Sequence, residues 1–204
     1  MTNDKSISDG YIKFSCDFLQ VDAIPSVDIV ELNVWRDKLY SLKLIGAYEN
    51  GIGYGNISVR KNGNIFLITG SATGNFSSLT GEHYSEVIDY NIRKNYLKCK
   101  GAVKASSESM THAAIYSIDK NINAVIHVHN LKLWNSLLNK VPTASKDAAY
   151  GTPEIAQEMI RLFNDEHARE KGIIITEGHE EGVFTFGKDL DTAGKILMKY
   201  FNKL

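Results

Sequence analysis

The chain has 204 residues, with 23 basic against 24 acidic side chains and a formal net charge of -1. Such a balance offers no electrostatic reason to expect nucleic acid or an anionic membrane surface as partner, and no apolar run is long enough to span a bilayer. At 43% hydrophobic and 23% charged residues, with no repeat, low-complexity tract or Pro/Ser-rich linker, the composition fits one α/β domain with a core of its own.

Taken in chain order, the start "MTNDKSISDG" is polar and lacks the apolar core of a signal peptide. The two cysteines, Cys16 and Cys99, form no C-x-x-C pair, which fits a reducing compartment; a cytoplasmic protein is the expectation. In "YIKFSCDF" the residues Ile12, Phe14, Cys16 and Phe18 alternate, predicting a strand or extended arm packed on one face. Residues 1–27 are therefore read as an N-terminal extension and 28–204 as the domain. From Asp28, a candidate N-cap, Leu32, Trp35, Leu39 and Leu42 fall on one helical stripe. "GIGYGNISVR" is a glycine-rich turn entering a strand, and "KNG" turns it into "NIFLIT", a hairpin. "SSESMTHAAIYSI" has helical spacing with Ser106 or Ser107 as N-cap. "NAVIHVHN" reads as a buried strand. "GTPEIAQEMIRLFNDEHARE" is a helix with Thr152 as cap and Pro153 at its first position. "GIIIT" and "GVFTFG" are strands, and Asp189 caps a last helix. Without regular βα alternation, a helix-flanked sheet with much antiparallel pairing fits better than a doubly wound fold.

The strand "NAVIHVHN" carries the chemistry. Residues two apart on a strand share a face, so His127 and His129 project together while Ile126 and Val128 face the other way. Two imidazoles held so are half of a site for zinc or a similar divalent ion, which needs at least a third protein ligand. His83 and His167 stand in charged surroundings and read as surface residues. His179, in "ITEGHEEG" between two apolar strands, is the best third ligand. In "KASSESMTH" the free N–H groups of a helix start, the hydroxyls of Ser106 and Ser107, and Lys104 suit an anion. Glu108 follows as a candidate metal ligand or general base. His112, four residues on, reads as a structural partner. "GYGNIS", with the amide of Asn56, and "ITGSATGN" supply further glycine-bearing loops for a phosphate cradle.

In their order, "GNIS", "LIT" with its Gly/Ser/Thr loop, "SSE" with a histidine four residues after the glutamate, "AVIHVHN", "YGTPEIA", a "GH" and a late glycine before a final helix resemble the class II aldolase/adducin family. The resemblance runs from about Leu32 to the C-terminus. It implies a three-layer α/β/α sandwich with a largely antiparallel central sheet and a ring-shaped homotetramer. It also implies zinc held by His127, His129 and His179, with Glu108 as resting-state ligand and acid/base. Its phosphate-binding positions match Asn56, the loop from Thr69 and Gly70 to Gly74, and Ser106 and Ser107. The implied activity is a lyase acting on a small sugar phosphate or related hydroxycarbonyl compound through an enediolate. The alternatives are a dehydratase or epimerase on the same fold, a non-catalytic adducin-like binding domain, or an enzyme whose substrate lacks phosphate. The chain departs from the pattern in three places. The family's "HG" is here "HEEG", adding Glu180 and Glu181 beside the expected metal. The loop over 69–74 is longer than usual. Asp147 stands where a tyrosine is expected to protonate the leaving group, leaving Asp147 or Tyr150 as auxiliary candidates.

Overall fold

A computed structural model describes residues 11–204; the polar start of the expected arm, 1–10, lies outside the described residues. In chain order the elements are β1 (Ser15–Gln20), α1 (Val30–Ser41), β2 (Gly46–Ala47), β3 (Gly53–Tyr54), β4 (Asn56–Asn62), β5 (Ile65–Thr69), β6 (Tyr84–Asn91), β7 (Tyr96–Gly101) and α2 (Ser109–Ile118). Then follow β8 (Ala124–His129), α3 (Leu131–Leu137), β9 (Thr143–Ala144), α4 (Pro153–Asp165), α5 (Ala168–Lys171), β10 (Ile173–Thr176), β11 (Gly182–Gly187) and α6 (Leu190–Phe201).

Nine strands form one sheet in the order β1-β7-β6-β5-β4-β8-β11-β10-β9, while β2 and β3 pair separately. Six of the eight pairings in the large sheet are antiparallel; only β1 on β7 and β9 on β10 run parallel. The α/β class with a largely antiparallel sheet is therefore as expected. β4 and β5 make the anticipated hairpin, with a bulge between Arg60 and Asn62 and Gly63 in the left-handed region at φ 49°. Cys16 and Phe18 of the alternating run lie in β1, which joins the large sheet at its edge, and Phe14 just before it is buried in the same core.

Both faces of the sheet are covered. Val125, Phe66, Ile68, Leu97, Ile174 and Phe184 pack with Met110 and Ile115 of α2 and with Ile155, Met159 and Leu162 of α4. Ala124, Ile126, Val128, Ile57, Ile173 and Val183 pack with Leu32, Trp35 and Leu39 of α1 and with Leu190, Ala193 and Leu197 of α6. In α6 and α4 the buried residues recur every three to four positions, the stripe that drives docking of an amphipathic helix. α1 and α6 approach closely because a Cβ at Gly194 would run into the Trp35 ring, whose Nε1 donates to Asp191 Oδ1 at 3.0 Å.

Two expected caps are corrected. Asp28 does not cap α1. It lies in a short 3-10 turn, Ser26–Ile29, and its carboxylate pairs with Lys61 at 2.8 Å. α2 starts later than Ser106 or Ser107 would set it: Glu108 holds the cap position without a side-chain cap bond, and Ser106 Oγ accepts from the Glu108 amide at 3.3 Å. Thr152 does precede α4, with Pro153 at its start, but the Thr152 hydroxyl donates backward to Ala149 O at 2.8 Å. Asp189 caps α6 as expected, accepting from Thr192 N at 2.7 Å. Among the described residues no helix is long and apolar enough to cross a membrane.

Candidate metal centre

β8 lies between β4 and β11, and all six of its residues are buried. Its pairing sets Asn56 opposite His127 on one side, and Phe184 and Gly182 opposite His127 and His129 on the other. The His127 ring stacks on Phe184 with centroids 4.1 Å apart and planes 6° apart, which fixes its orientation. His179 comes from the tight turn joining β10 to β11. That turn is held by Gly182 N donating to His179 O at 3.0 Å and by the Thr176 hydroxyl, 3.1 Å from both His179 O and Gly182 O. Because β8 and β11 are neighbours, the turn delivers His179 over the two strand histidines.

One ring nitrogen from each of His127, His129 and His179 lies within 4.8 Å of the others, and all three residues are buried. Burial holds His127 and His129 well below the usual histidine range, and the neighbouring imidazoles push the same way. Both are therefore neutral, with a lone pair to give. His127 Nε2 is buried without a hydrogen-bond partner among the described residues, a condition that a bound cation relieves. The carboxylate of Glu108, released from capping α2, sits with Oε1 3.3 Å from His179 Nδ1 and Oε2 4.0 Å from His127 Nδ1. Three imidazoles and a carboxylate suit a divalent ion such as zinc.

These groups line one part of a small pocket open to solvent. Its other walls are the glycine-rich turn over 53–56, the loop over 70–74 and the serines Ser106 and Ser107. Glycine is required at position 55, where φ is 73° and a Cβ would meet Ile45 and the His127 carbonyl. The lining is rich in hydroxyls and backbone amides, and Glu108 is its single Asp, Glu, Lys or Arg among the described residues.

The structure thus brings together Asn56, Gly70, Gly74, Ser106, Ser107, Glu108, His127, His129, His179 and Tyr150 around one pocket. Asn56 Nδ2 lies 3.3 Å from His127 Nδ1. The Tyr150 ring is 4.9 Å from that of His179, and Lys13 Nζ lies 3.7 Å from the Tyr150 ring centroid. Three expected residues lie elsewhere. Thr69 is turned into the sheet, its hydroxyl accepting from Ile57 N at 3.2 Å. Asp147 and Glu180 are exposed and do not line the pocket. His112 is fully buried behind the site, its Nδ1 2.7 Å from Ser58 Oγ. His83 is not a plain surface residue: its Nδ1 accepts from Thr80 N at 3.0 Å in a capping box.

Sequence reasoning missed two contributors, Arg36 and Tyr48, and of the two added glutamates it singled out Glu180 as the auxiliary candidate. Arg36 is buried in α1, and its guanidinium donates to the carbonyls of Thr73 and Gly74, both at 3.3 Å, holding the 70–74 loop from below. Tyr48, in the turn between β2 and β3, reaches His129 Nδ1 at 2.8 Å. Glu181, rather than Glu180, points inward, accepting from the Tyr48 hydroxyl at 2.8 Å. Its φ of 67° makes it a non-glycine residue in a glycine-favouring conformation.

The family model described as the Class II Aldolase and Adducin N-terminal domain matches residues 47–200. The chain belongs to the class II aldolase and adducin family. Among curated relatives, an L-fuculose phosphate aldolase of Methanocaldococcus jannaschii is 29% identical over 166 residues, covering 75% of this chain and 80% of the relative. A solved L-fuculose 1-phosphate aldolase superposes with a TM-score of 0.66 at 20% identity, covering 89% of this chain and 84% of the other. An L-fuculose-1-phosphate aldolase from Thermus thermophilus gives 0.55 at 22% identity over 83% of each chain. At such identities the solved structures establish that the class II aldolase fold is shared.

Proposed function

We propose that this family member is a zinc-dependent lyase that makes or breaks a C–C bond in a small sugar phosphate or related hydroxycarbonyl compound. The observation that carries the reading is the convergence of three buried imidazoles and one carboxylate in one part of the pocket. His127, His129 and His179 would hold the ion, with Glu108 as a further resting ligand. Such an ion supplies Lewis-acid polarisation of a carbonyl and its neighbouring hydroxyl, favouring the enediolate. Glu108 takes the proton from the substrate and returns it, since its carboxylate stands at the pocket wall beside the imidazoles. Asn56, the 70–74 loop, Ser106 and Ser107 supply amide and hydroxyl donors for the far end of the substrate, and Arg36 keeps the loop among them in place. Tyr150, buried beside His179, is better sited than exposed Asp147 to give a proton to the leaving group.

The reading includes the layered α/β/α arrangement of residues 28–204, with 1–27 as an extension. It also includes a cytoplasmic location and a homotetramer, the last tested by light scattering on the purified chain. Helices packed on both faces of the sheet support the layering. Dehydration or epimerisation of the same substrate class would use the same proton transfer at Glu108. One further reading has its own support: among the described residues, neither Lys nor Arg lines the pocket, which favours a substrate without phosphate. Comparing inhibition by phosphoglycolohydroxamate and unphosphorylated glycolohydroxamate separates the two, because only a phosphate-specific pocket prefers the first.

Elemental analysis of wild type beside His129→Ala tests the centre. About one zinc per chain in the wild type and its loss in the variant are expected. No metal in the wild type, even after reconstitution, would sink the catalytic proposal and leave an adducin-like binding domain.

A further inference from the structure

Within that reading of the site, and resting on it for the identity of the ion, we infer that Glu181 and Tyr48 are positioning residues that set the tautomer of His129 and so aim its Nε2 lone pair at the metal. A tyrosine hydroxyl carries one proton. Tyr48 donates that proton to Glu181 Oε2 at 2.8 Å, a charge-assisted bond. The same hydroxyl oxygen lies 2.8 Å from His129 Nδ1, and its proton is already engaged. The hydrogen bond between them must then run from His129 Nδ1–H to the Tyr48 oxygen. A neutral imidazole protonated at Nδ1 has its lone pair on Nε2. Glu181 does not act directly, since its Oε2 is 3.9 Å from His129 Nδ1, beyond hydrogen-bond reach.

The local structure is arranged around this relay. The two-stranded unit of β2 and β3 closes the turn that carries Tyr48, with Tyr48 N donating to Ile52 O at 2.9 Å. Tyr54 buttresses it, its ring 4.6 Å from that of Tyr48 and 5.5 Å from that of His129. On the opposite side, Glu181 occupies the left-handed region at φ 67°. An L-residue there is strained relative to right-handed backbone, and glycine would avoid that strain. Non-glycine residues persist in such conformations where their side chains have a specific partner; here the partner is Tyr48. The second glutamate of "HEEG" thus reaches the neighbouring histidine through a phenol. Outer partners of metal-binding histidines commonly change affinity by about 10- to 100-fold when removed.

The test uses the full-length chain in two measurements. Nitrogen-15 NMR of the imidazole rings of metal-free protein, at one fixed pH, reads the tautomer, with His129 assigned by its loss in His129→Gln. The wild type should show His129 protonated at Nδ1. Glu181→Ala frees the Tyr48 proton to donate into Nδ1 and should move the ring proton to Nε2. Glu181→Gln, whose amide oxygen still accepts from Tyr48, should restore the wild-type tautomer. Zinc competition with a chromophoric chelator then reads the consequence. Tyr48→Phe and Glu181→Ala should each weaken zinc about 10- to 100-fold, and the double variant should be no weaker than Tyr48→Phe alone. An Nε2–H tautomer in the wild type, or an unchanged tautomer in Glu181→Ala, overturns the inference. So do additive losses, which would mean that Glu181 acts on the ion directly. If the wild type takes up no zinc, the lyase reading fails, and the NMR arm still decides the relay.

Discussion

Burial leaves His112 without charge: the ring is enclosed between Ser58 and Phe184, and its pKa is pushed down to about 3 from an ordinary 6.5. The unfolded chain takes up a proton at this residue near pH 6.5, while the folded chain does not until about pH 3. Its contribution to stability is therefore complete above 6.5 and is lost as pH falls from there toward 3. Between about pH 7.5 and about pH 5.5 the loss amounts to roughly 1.4 kcal/mol. Denaturant melts of wild type and His112→Asn at the two pH values should differ in pH response by about that amount. Equal responses would mean that His112 is not held neutral. The same desolvation acts on His127 and His129, so one physical cause both costs acid stability and provides the lone pairs of the candidate centre.

At the level of elements, α6 owes its start to Asp189, and Asp189→Ala should lower stability by about 1 kcal/mol in urea titration. Thr152→Ala should cost less in the same assay, because the Thr152 side chain accepts no bond from α4. The contrast shows why elements were more legible than their ends. An apolar run or a helical period survives in the sequence whatever surrounds it, so β8, the β4–β5 hairpin and the stripe of α1 could be read directly. A cap depends on where one side chain turns, and Asp28 turned to Lys61 while Glu108 turned to the histidines. The site divides similarly. His127 and His129 were legible because strand geometry alone puts them on one face. Arg36, Tyr48 and Glu181 reach the site across elements distant in sequence, and nothing local announced them, apart from the extra glutamates of "HEEG".

For the whole molecule, the candidate centre ties the middle of the sheet to the turn after β10, since two ligands sit on β8 and the third on that turn. An ion bound only by the folded chain adds stability with concentration, about 4 kcal/mol at roughly 1,000 times its dissociation constant. Thermal melts should therefore rise on adding zinc to chelator-treated wild type and stay fixed for His129→Ala. A zinc-independent melting temperature in both would contradict a centre of this kind. β1 carries a different consequence. It lies parallel on β7, so close that Cys16 and Cys99, 83 residues apart in the chain, have their sulfurs 3.8 Å apart. During synthesis at about 5–20 residues per second, Phe14 and Phe18 leave the ribosome roughly 4–16 seconds before their partner strand exists. β1 thus waits for β7 before it can dock, although β4, β5 and β6 can pair with one another in the meantime, and for those seconds the nascent chain trails apolar side chains that a later stretch of the same chain covers.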